Sequence, residues 1–382
     1  AEPGRSAERF RSSLSHFFST FVLMNPARPL MVCTSSRTYP VQIGTGLLEE
    51  LGPRLSASHP LSSRIALVAD AALRAYAETA QASLAKAGFD SVILWVPPGE
   101  ESKSLSQLGL LLEKLAENRI DRKGTLIALG GGVVGDLAGF AASIFLRGIA
   151  LFHLPTTLLA MVDSSVGGKT GINLPQGKNL VGTFYQPWGI FADLKTLSTL
   201  PAREIRAGLA EVIKYGMIAD PTLLSILDQD TLDWQAIVRR SVEIKAAVVA
   251  EDERETRGRR AVLNFGHTAG HALEAALSYR TLVHGEAVAL GMRVAAFLSH
   301  RLCGLPESAI ALLDRLLVRH GLPQTVEGVS RARVREALLV DKKREEGANR
   351  WVLLRALGDP IVAEVREEEI ERALALILGR TA

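Results

Sequence analysis

A chain of 382 residues, 47% hydrophobic and 22% charged, has enough apolar material for a large buried core and is long enough for two domains. Its 44 basic residues against 41 acidic ones leave a net charge of +3, so nothing global points to nucleic acid or a membrane surface. Cys33 and Cys303 are far apart and imply no disulfide framework, which favours a reducing, cytoplasmic compartment, and no apolar run reaches the roughly 18 residues a membrane span needs.

Residues 1–30 differ from the rest. Arg5, Arg9 and Arg11 precede a short apolar run, Phe17 to Met24, as a targeting peptide would. Glu2 and Glu8 dilute that basic region and no small-residue cleavage site follows, so a disordered or extraneous leader is expected, with Met24 and Met31 as alternative starts. From Tyr39 to about Leu200, short Val-, Ile- and Leu-rich runs alternate with helical periodicity. Arg64–Ala69, Val92–Val96, Thr125–Leu129 and Ala150–Leu154 read as strands, and Asp70–Gly88 and Ser104–Arg119 as helices. This is the pattern of a parallel, Rossmann-like sheet covered by helices, expected over 31–200. After Pro201 the pattern turns helical: Glu204–Ile218, Gln235–Glu251, Thr268–Leu277, Glu286–Leu302 and Ala309–His320, with the next strand at Trp351–Leu354. The expected fold class is therefore an α/β N-terminal domain followed by a mostly α-helical domain over 201–382.

Gly130-Gly131-Gly132-Val133-Val134-Gly135-Asp136 follows the third strand and opens a helix. Glycines let a backbone approach a pyrophosphate, and the helix N-terminus offers free N–H groups to it. The acidic residue expected about 20 positions on is missing, since that region is Ala150–Leu154; Asp70, ending the first strand, is placed to serve the ribose instead.

His267 and His271 stand at i, i+4 and share a helix face; His284 follows in His284-Gly285-Glu286. Upstream, Glu211 sits in an otherwise apolar helix, where an unpaired carboxylate is expensive to bury. Two imidazoles and a carboxylate with an open position form a catalytic zinc pattern, although spacing alone leaves open which two histidines bind. Asp163–Asn173 and Gly177–Leu180 read as glycine-rich loops whose Lys169, Lys178 and Asn179 suit an anionic, hydroxylated ligand. Lys214 lies one turn after Glu211, and Lys245, Arg260 and Asn264 precede the histidines.

Leu154–Leu159, Asp163–Asn179, Leu209–Lys214, Leu263–His271 and His284-Gly285-Glu286 together resemble the 3-dehydroquinate synthase family, over about Tyr39 to Leu357. The resemblance implies an enzyme that converts 3-deoxy-D-arabino-heptulosonate 7-phosphate to 3-dehydroquinate and phosphate, with NAD used catalytically and zinc, or cobalt, as the metal. It gives Glu211, His267 and His284 the role of metal ligands and His271 that of a proton carrier. Lys169, Asn179, Lys214, Lys245, Arg260, Asn264 and Lys342 match substrate-binding residues, with Lys343 as the alternative to Lys342. Arg147 matches a residue that reaches the neighbouring subunit's site, which implies a homodimer. Asp70, Glu100, Lys103, Gly131, Gly132, Asp136, Thr156, Thr157, Asp163, Lys178 and Thr199 match NAD contacts. Glu255 matches an acid/base position, but the family's Glu-x-Gly-x-Arg is one residue longer here, at Glu255–Arg260. Two other readings compete: a related sugar-phosphate cyclase, differing in a few pocket residues, and a metal-dependent polyol dehydrogenase, which would not need the Lys169, Lys178 and Asn179 cluster.

Overall fold

The computed structural model describes residues 29–58, 64–344 and 350–379, the side chains of 340–344 excepted. Of the expected leader, residues 1–28 lie outside the described residues, and Leu30 already opens the first strand.

β1 (Leu30–Cys33) and β2 (Thr38–Gly44) pair antiparallel, and α1 (Leu51–Ser58) follows. Then come β3 (Ile65–Asp70), α2 (Arg74–Lys86), β4 (Ser91–Val96), α3 (Leu105–Glu117), β5 (Thr125–Gly130), α4 (Gly132–Ile144) and β6 (Ala150–Pro155). The four strands read from the sequence thus appear within a residue of their expected ends. A π-helical turn, Ala160–Ser164, leads to the hairpin β7 (Lys169–Leu174) and β8 (Gly177–Phe184), and β9 (Gly189–Asp193) completes the main sheet. The expectation of glycine-rich loops at Asp163–Asn173 and Gly177–Leu180 is corrected from Lys169 on, where the chain forms this hairpin, while Gly167 (φ +97) and Gly168 (φ +70) make a turn before it. Gly171 and Gly182 face each other across the hairpin, where an added Cβ would lie 2.6 Å from the Val181 carbonyl oxygen and 2.0 Å from that of Thr170. These glycines permit close strand approach rather than a turn.

The seven-stranded sheet has the order β1-β2-β9-β6-β5-β3-β4 and is parallel except for β1 against β2. Strands β3 and β5 are buried along nearly their whole length because helices cover both faces. Along β5, Leu126 and Ala128 join one core with Leu111 and Leu137, whereas Ile127 and Leu129 join the other with Leu84 and Phe152. From β3 the chain runs outward to β4 and returns to β5 on the other side. That reversal opens a crevice at the carboxyl ends of β3 and β5, the usual ligand position in such sheets.

The remainder is helix-rich: α5 (Ala202–Ile218), α6 (Pro221–Leu227), α7 (Trp234–Glu251), α8 (His267–Ala276), α9 (His284–Cys303), α10 (Glu307–Arg319) and α11 (Arg331–Arg344), then the hairpin β10 (Arg350–Ala356) and β11 (Asp359–Glu364), and α12 (Glu367–Leu374). One apolar cluster runs from Val162, Val166 and Ile190 through Ile213, Val242 and Met292, so the helices pack directly on the β1–β2–β9 side. Helix α9 approaches α5 closely: a Cβ at Gly285 would lie 2.2 Å from the Ala207 carbonyl oxygen. This contact sets His284 beside the turn of α5 that carries Glu211. Among the described residues no helix is long and apolar enough to cross a membrane.

Candidate metal and nucleotide site

The carboxyl ends of the central strands collect the expected nucleotide residues. Gly131 is the N-cap of α4, with extended φ/ψ, and the Thr156 N–H donates to the Gly130 carbonyl at 3.0 Å. A Cβ at Gly131 would come within 3.1 Å of Thr157 Cγ2, and one at Gly132 within 3.1 Å of Ser164 Oγ. Side chains there would fill the cradle that a pyrophosphate needs. Asp70 ends β3, where its carboxylate accepts from the Ala72 N–H at 2.8 Å. Thr199 Oγ1 lies 2.7 Å from the Tyr76 hydroxyl on α2.

Lys103 is buried, and its ammonium donates to Asp136 Oδ2 at 2.7 Å and to Asn179 Oδ1 at 2.5 Å, with Glu100 Oε1 at 3.8 Å. Burial raises the Asp136 carboxyl, against the opposing pull of Lys103. Asn173, which the sequence reading did not single out, ties the group together. Its side-chain amide donates to Glu100 at 2.8 Å, and its Oδ1 accepts from the Asn179 N–H at 2.8 Å. Asn179 itself has φ +54, a left-handed conformation that Asn tolerates better than most residues.

Glu211 is fully buried on α5. His267 Nε2 and His284 Nε2 both lie 3.5 Å from its Oε1, and the Lys214 ammonium pairs with Oε2. Neither Glu211 oxygen has a hydrogen-bond donor in bonding geometry among the described residues. Burial would raise this carboxyl, but Lys214 and His267 outweigh it and hold it well below the usual carboxylate range. A buried anion with open lone pairs facing two imidazole nitrogens fits a divalent cation. Burial pushes His267 down to about 3, whereas the Glu211 and Glu274 carboxylates outweigh burial and raise His284 to about 10, so a metal bound there would displace the His284 proton.

His284 Nδ1 stands 3.3 Å from Glu274 Oε2, and Lys178 Nζ stands 3.2 Å from the other Glu274 oxygen. Glu274 was not expected from the sequence. A carboxylate on the far nitrogen of a ligand imidazole fixes its tautomer and orientation. The exposed His271 ring lies 5.3 Å from that of His267 and 5.9 Å from that of His284.

Next to this centre, the Lys245 ammonium donates to Asp163 Oδ1 and to its carbonyl, both at 2.7 Å, and the Tyr215 hydroxyl donates to Oδ1 at 2.5 Å. Burial opposes the Asp163 charge, yet Lys245 and Lys214 hold the carboxyl far below its ordinary range. Asp163, expected at the nucleotide, therefore also anchors the buried Lys245. Lys169 pairs with Glu255 at 2.7 Å. Left-handed Glu255 (φ +58) and Gly258 (φ +69) shape the longer Glu255–Arg260 segment while keeping Glu255 on Lys169. Arg260 is buried, and its guanidinium lies against Gly167. Asn264 is exposed just before α8. Lys342 and Lys343 lie on α11, their side chains outside what is described. Arg147 is exposed beyond α4 and forms no ion pair with any described residue.

The N-terminal and C-terminal domain profiles of 3-dehydroquinate synthase match residues 93–207 and 208–344. A 3-dehydroquinate synthase of Methylacidiphilum infernorum (isolate V4) is 52% identical over 359 residues, covering 93% of this chain and all of that protein. The chain belongs to the 3-dehydroquinate synthase family. Two solved structures share its architecture at 28% identity. A 2-deoxy-scyllo-inosose synthase complexed with carbaglucose-6-phosphate, NAD+ and Co2+ has a TM-score of 0.79 over 91% of this chain and 99% of its own. A 2-epi-5-epi-valiolone synthase from Streptomyces hygroscopicus subsp. jinggangensis with NAD+ and Zn2+ has a TM-score of 0.81, over 90% and 97%.

One buried residue of this 3-dehydroquinate synthase family chain bears on its acid tolerance. His153 on β6 lines a small pocket under the nucleotide turn with Gly130, Gly131, Gly135 and Ser164. It forms no hydrogen bond or ion pair with any described residue, and burial pushes it down to about 4 from 6.5. Between those values the unfolded chain binds a proton that the folded one refuses, so stability falls as pH drops through that window, by about 3 kcal/mol in all. His153→Gln should flatten this limb. The check is the urea-unfolding free energy of both proteins from neutral pH to about pH 4; parallel curves would show that His153 carries no such linkage.

Proposed function

We propose that the chain is a 3-dehydroquinate synthase, acting on 3-deoxy-D-arabino-heptulosonate 7-phosphate in the shikimate pathway. The observation that carries this reading is the joining of two features in one site: the Glu211, His267 and His284 triad, with a buried carboxylate oxygen facing both imidazoles, and the cations Lys169 at the start of β7, Lys214 on α5, Lys245 on α7 and Arg260 in the segment before α8. A polyol dehydrogenase has no use for that many cations, whereas a substrate carrying both a carboxylate and a phosphate does.

Residues 31–200 form the nucleotide-binding domain in this reading, and 201–382 the metal- and substrate-binding domain. Gly131, Gly132 and the start of α4 receive the NAD pyrophosphate, Asp70 and Thr199 stand at the ribose side, and Thr156, Thr157, Asp136, Lys103, Glu100, Asp163 and Lys178 complete the cofactor wall. Glu211, His267 and His284 hold the divalent metal, zinc or cobalt. When bound, NAD supplies reversible hydride acceptance and the metal a Lewis acid for adjacent hydroxyls. Arg260, Lys169 and Asn264 bind and orient the phosphate, and Lys245, Lys214 and Asn179 the rest of the polar chain, with Lys342 as a further cation. His271, beside both ligand imidazoles, moves a proton between substrate and solvent, and Glu255, already paired with Lys169, is the second proton-handling group. Arg147 serves the site of the neighbouring subunit in a homodimer. A reducing, cytoplasmic setting suits two unpaired cysteines, one of them exposed.

The test is incubation of the purified protein with the heptulosonate phosphate, NAD and zinc. Phosphate and 3-dehydroquinate should appear together. NAD should be required, and no NADH should build up if NAD is used catalytically. NADH accumulating in step with substrate loss would mean a dehydrogenase instead.

A further inference from the structure

The loop after α7 carries Glu255 and Arg260, and its position depends on a residue that the reading above does not use. Glu253 is buried, 7% exposed. Its carboxylate accepts hydrogen bonds from the hydroxyls of Ser35 and Ser36, from the Ser36 N–H at 3.0 Å and from the Gln186 side-chain amide at 3.0 Å. Ser35 and Ser36 form the turn between β1 and β2, more than 200 residues earlier in the chain. Gln186 packs on Gly168, where an added Cβ would lie 2.7 Å from its amide nitrogen. Burial opposes the Glu253 charge, and the donors from Ser35, Ser36 and Gln186 overcome it, holding the carboxyl at about 2.

These four donors are neutral or backbone groups, and they occupy the carboxylate. The Arg260 guanidinium therefore donates to the Glu253 backbone carbonyl rather than its carboxylate, at 3.0 Å, lies over the Phe184 ring at 5.8 Å, and forms no ion pair with any described residue. A free carboxylate next to a buried guanidinium would capture it bidentately. The same guanidinium lies 3.0 Å from the position of a Gly167 Cβ, two residues before Lys169, whose ammonium is paired with Glu255.

We propose that Glu253 is a positioning residue: it fastens the Arg260 loop to the β1–β2 turn and to Gln186, and, being saturated there, leaves the Arg260 guanidinium open for the substrate's phosphate. The proposal rests on the reading of Arg260 as the phosphate-binding residue.

Glu253→Gln keeps the shape but turns one acceptor into a donor that faces other donors. Ser35→Ala/Ser36→Ala leaves the carboxylate in place and frees it to pair with Arg260. Inorganic phosphate, titrated by calorimetry into the zinc- and NAD-loaded protein, is the probe. Both variants should bind it about tenfold or more weakly, the loss expected for one charge-assisted contact. KM for the heptulosonate phosphate should rise by a similar factor with a smaller change in kcat, while NAD affinity and zinc content stay at wild-type values. Unchanged phosphate binding in either folded variant would overturn the proposal. So would a parallel loss of phosphate, NAD and zinc, which marks a fold-wide defect. Arg260→Ala is the control: if it binds phosphate as the wild type does, the reading of Arg260 fails and the proposal falls with it.

Discussion

His267→Ala and His284→Ala will purify without bound zinc and with almost no activity, whereas His271→Ala will keep its metal and lose rate. The geometry offers two competing donor groups, Glu211 with His267 and His284, and His271 with Glu274 and His284. They differ in what their carboxylate lacks. Lys214 pairs with Glu211 Oε2, but Oε1 is fully buried, has no hydrogen-bond donor and faces both imidazoles, so a cation there removes a desolvation cost. Glu274 is already engaged by Lys178 and by His284 Nδ1, which together outweigh its burial and hold it at about 2. It is an orienting partner rather than a ligand. Even changes at such partners lower metal affinity about 10- to 100-fold, so removal of a ligand imidazole should cost more than about 100-fold. Metal analysis of each purified variant decides the matter without any assay of activity. A metal-free His271→Ala with zinc retained by His267→Ala would move the ion to the second group.

Arg147→Ala and Lys169→Ala proteins, each nearly inactive alone, will regain activity when their subunits are mixed. Helix α4 ends at Ile144, and the chain then passes through three left-handed residues, Leu146 (φ +49), Arg147 (φ +68) and Gly148 (φ +118). Left-handed backbone at two successive non-glycine residues costs about 1–3 kcal/mol each, which a turn pays only where its geometry is needed. Helix-end electrostatics would need no such turn. Ile144, Leu146, Leu180 and Phe184 are large apolar side chains left exposed on the same αβ unit and hairpin. In a symmetric dimer the Arg147→Ala subunit keeps its own Lys169 and receives Arg147 from its partner. Half of a random mixture is heterodimer with one intact site, so recovery should approach about a quarter of wild-type activity. No recovery, despite subunit exchange seen by native mass spectrometry, would put Arg147 outside any shared site.

What was legible in the sequence is what short-range pattern encodes. Continuous apolar runs at Ile65–Ala69 and Thr125–Leu129 announce strands covered on both faces, because burial on both sides removes the alternation of a half-exposed strand. The glycine run after β5 and the histidine pair one turn apart on α8 are equally local, since strand-turn-helix and i, i+4 geometry are set by neighbouring residues. Helices α1, α6, α11 and α12 were not read. α1, α6 and α12 are only 8, 7 and 8 residues long, too short to display a clear period, and α11 is mostly polar. The glycines of β7 and β8 misled the reading toward loops, because glycine marks a turn and a close strand contact alike. Tertiary structure alone decided which charges meet. Lys178 finds Glu274 across 96 positions, and Ser36 finds Glu253 across 217. Such pairs are fixed by how the hairpin, the β1–β2 turn and the helices pack, and a carboxylate has the same letter whether it orients a ligand imidazole, fastens a loop or faces water.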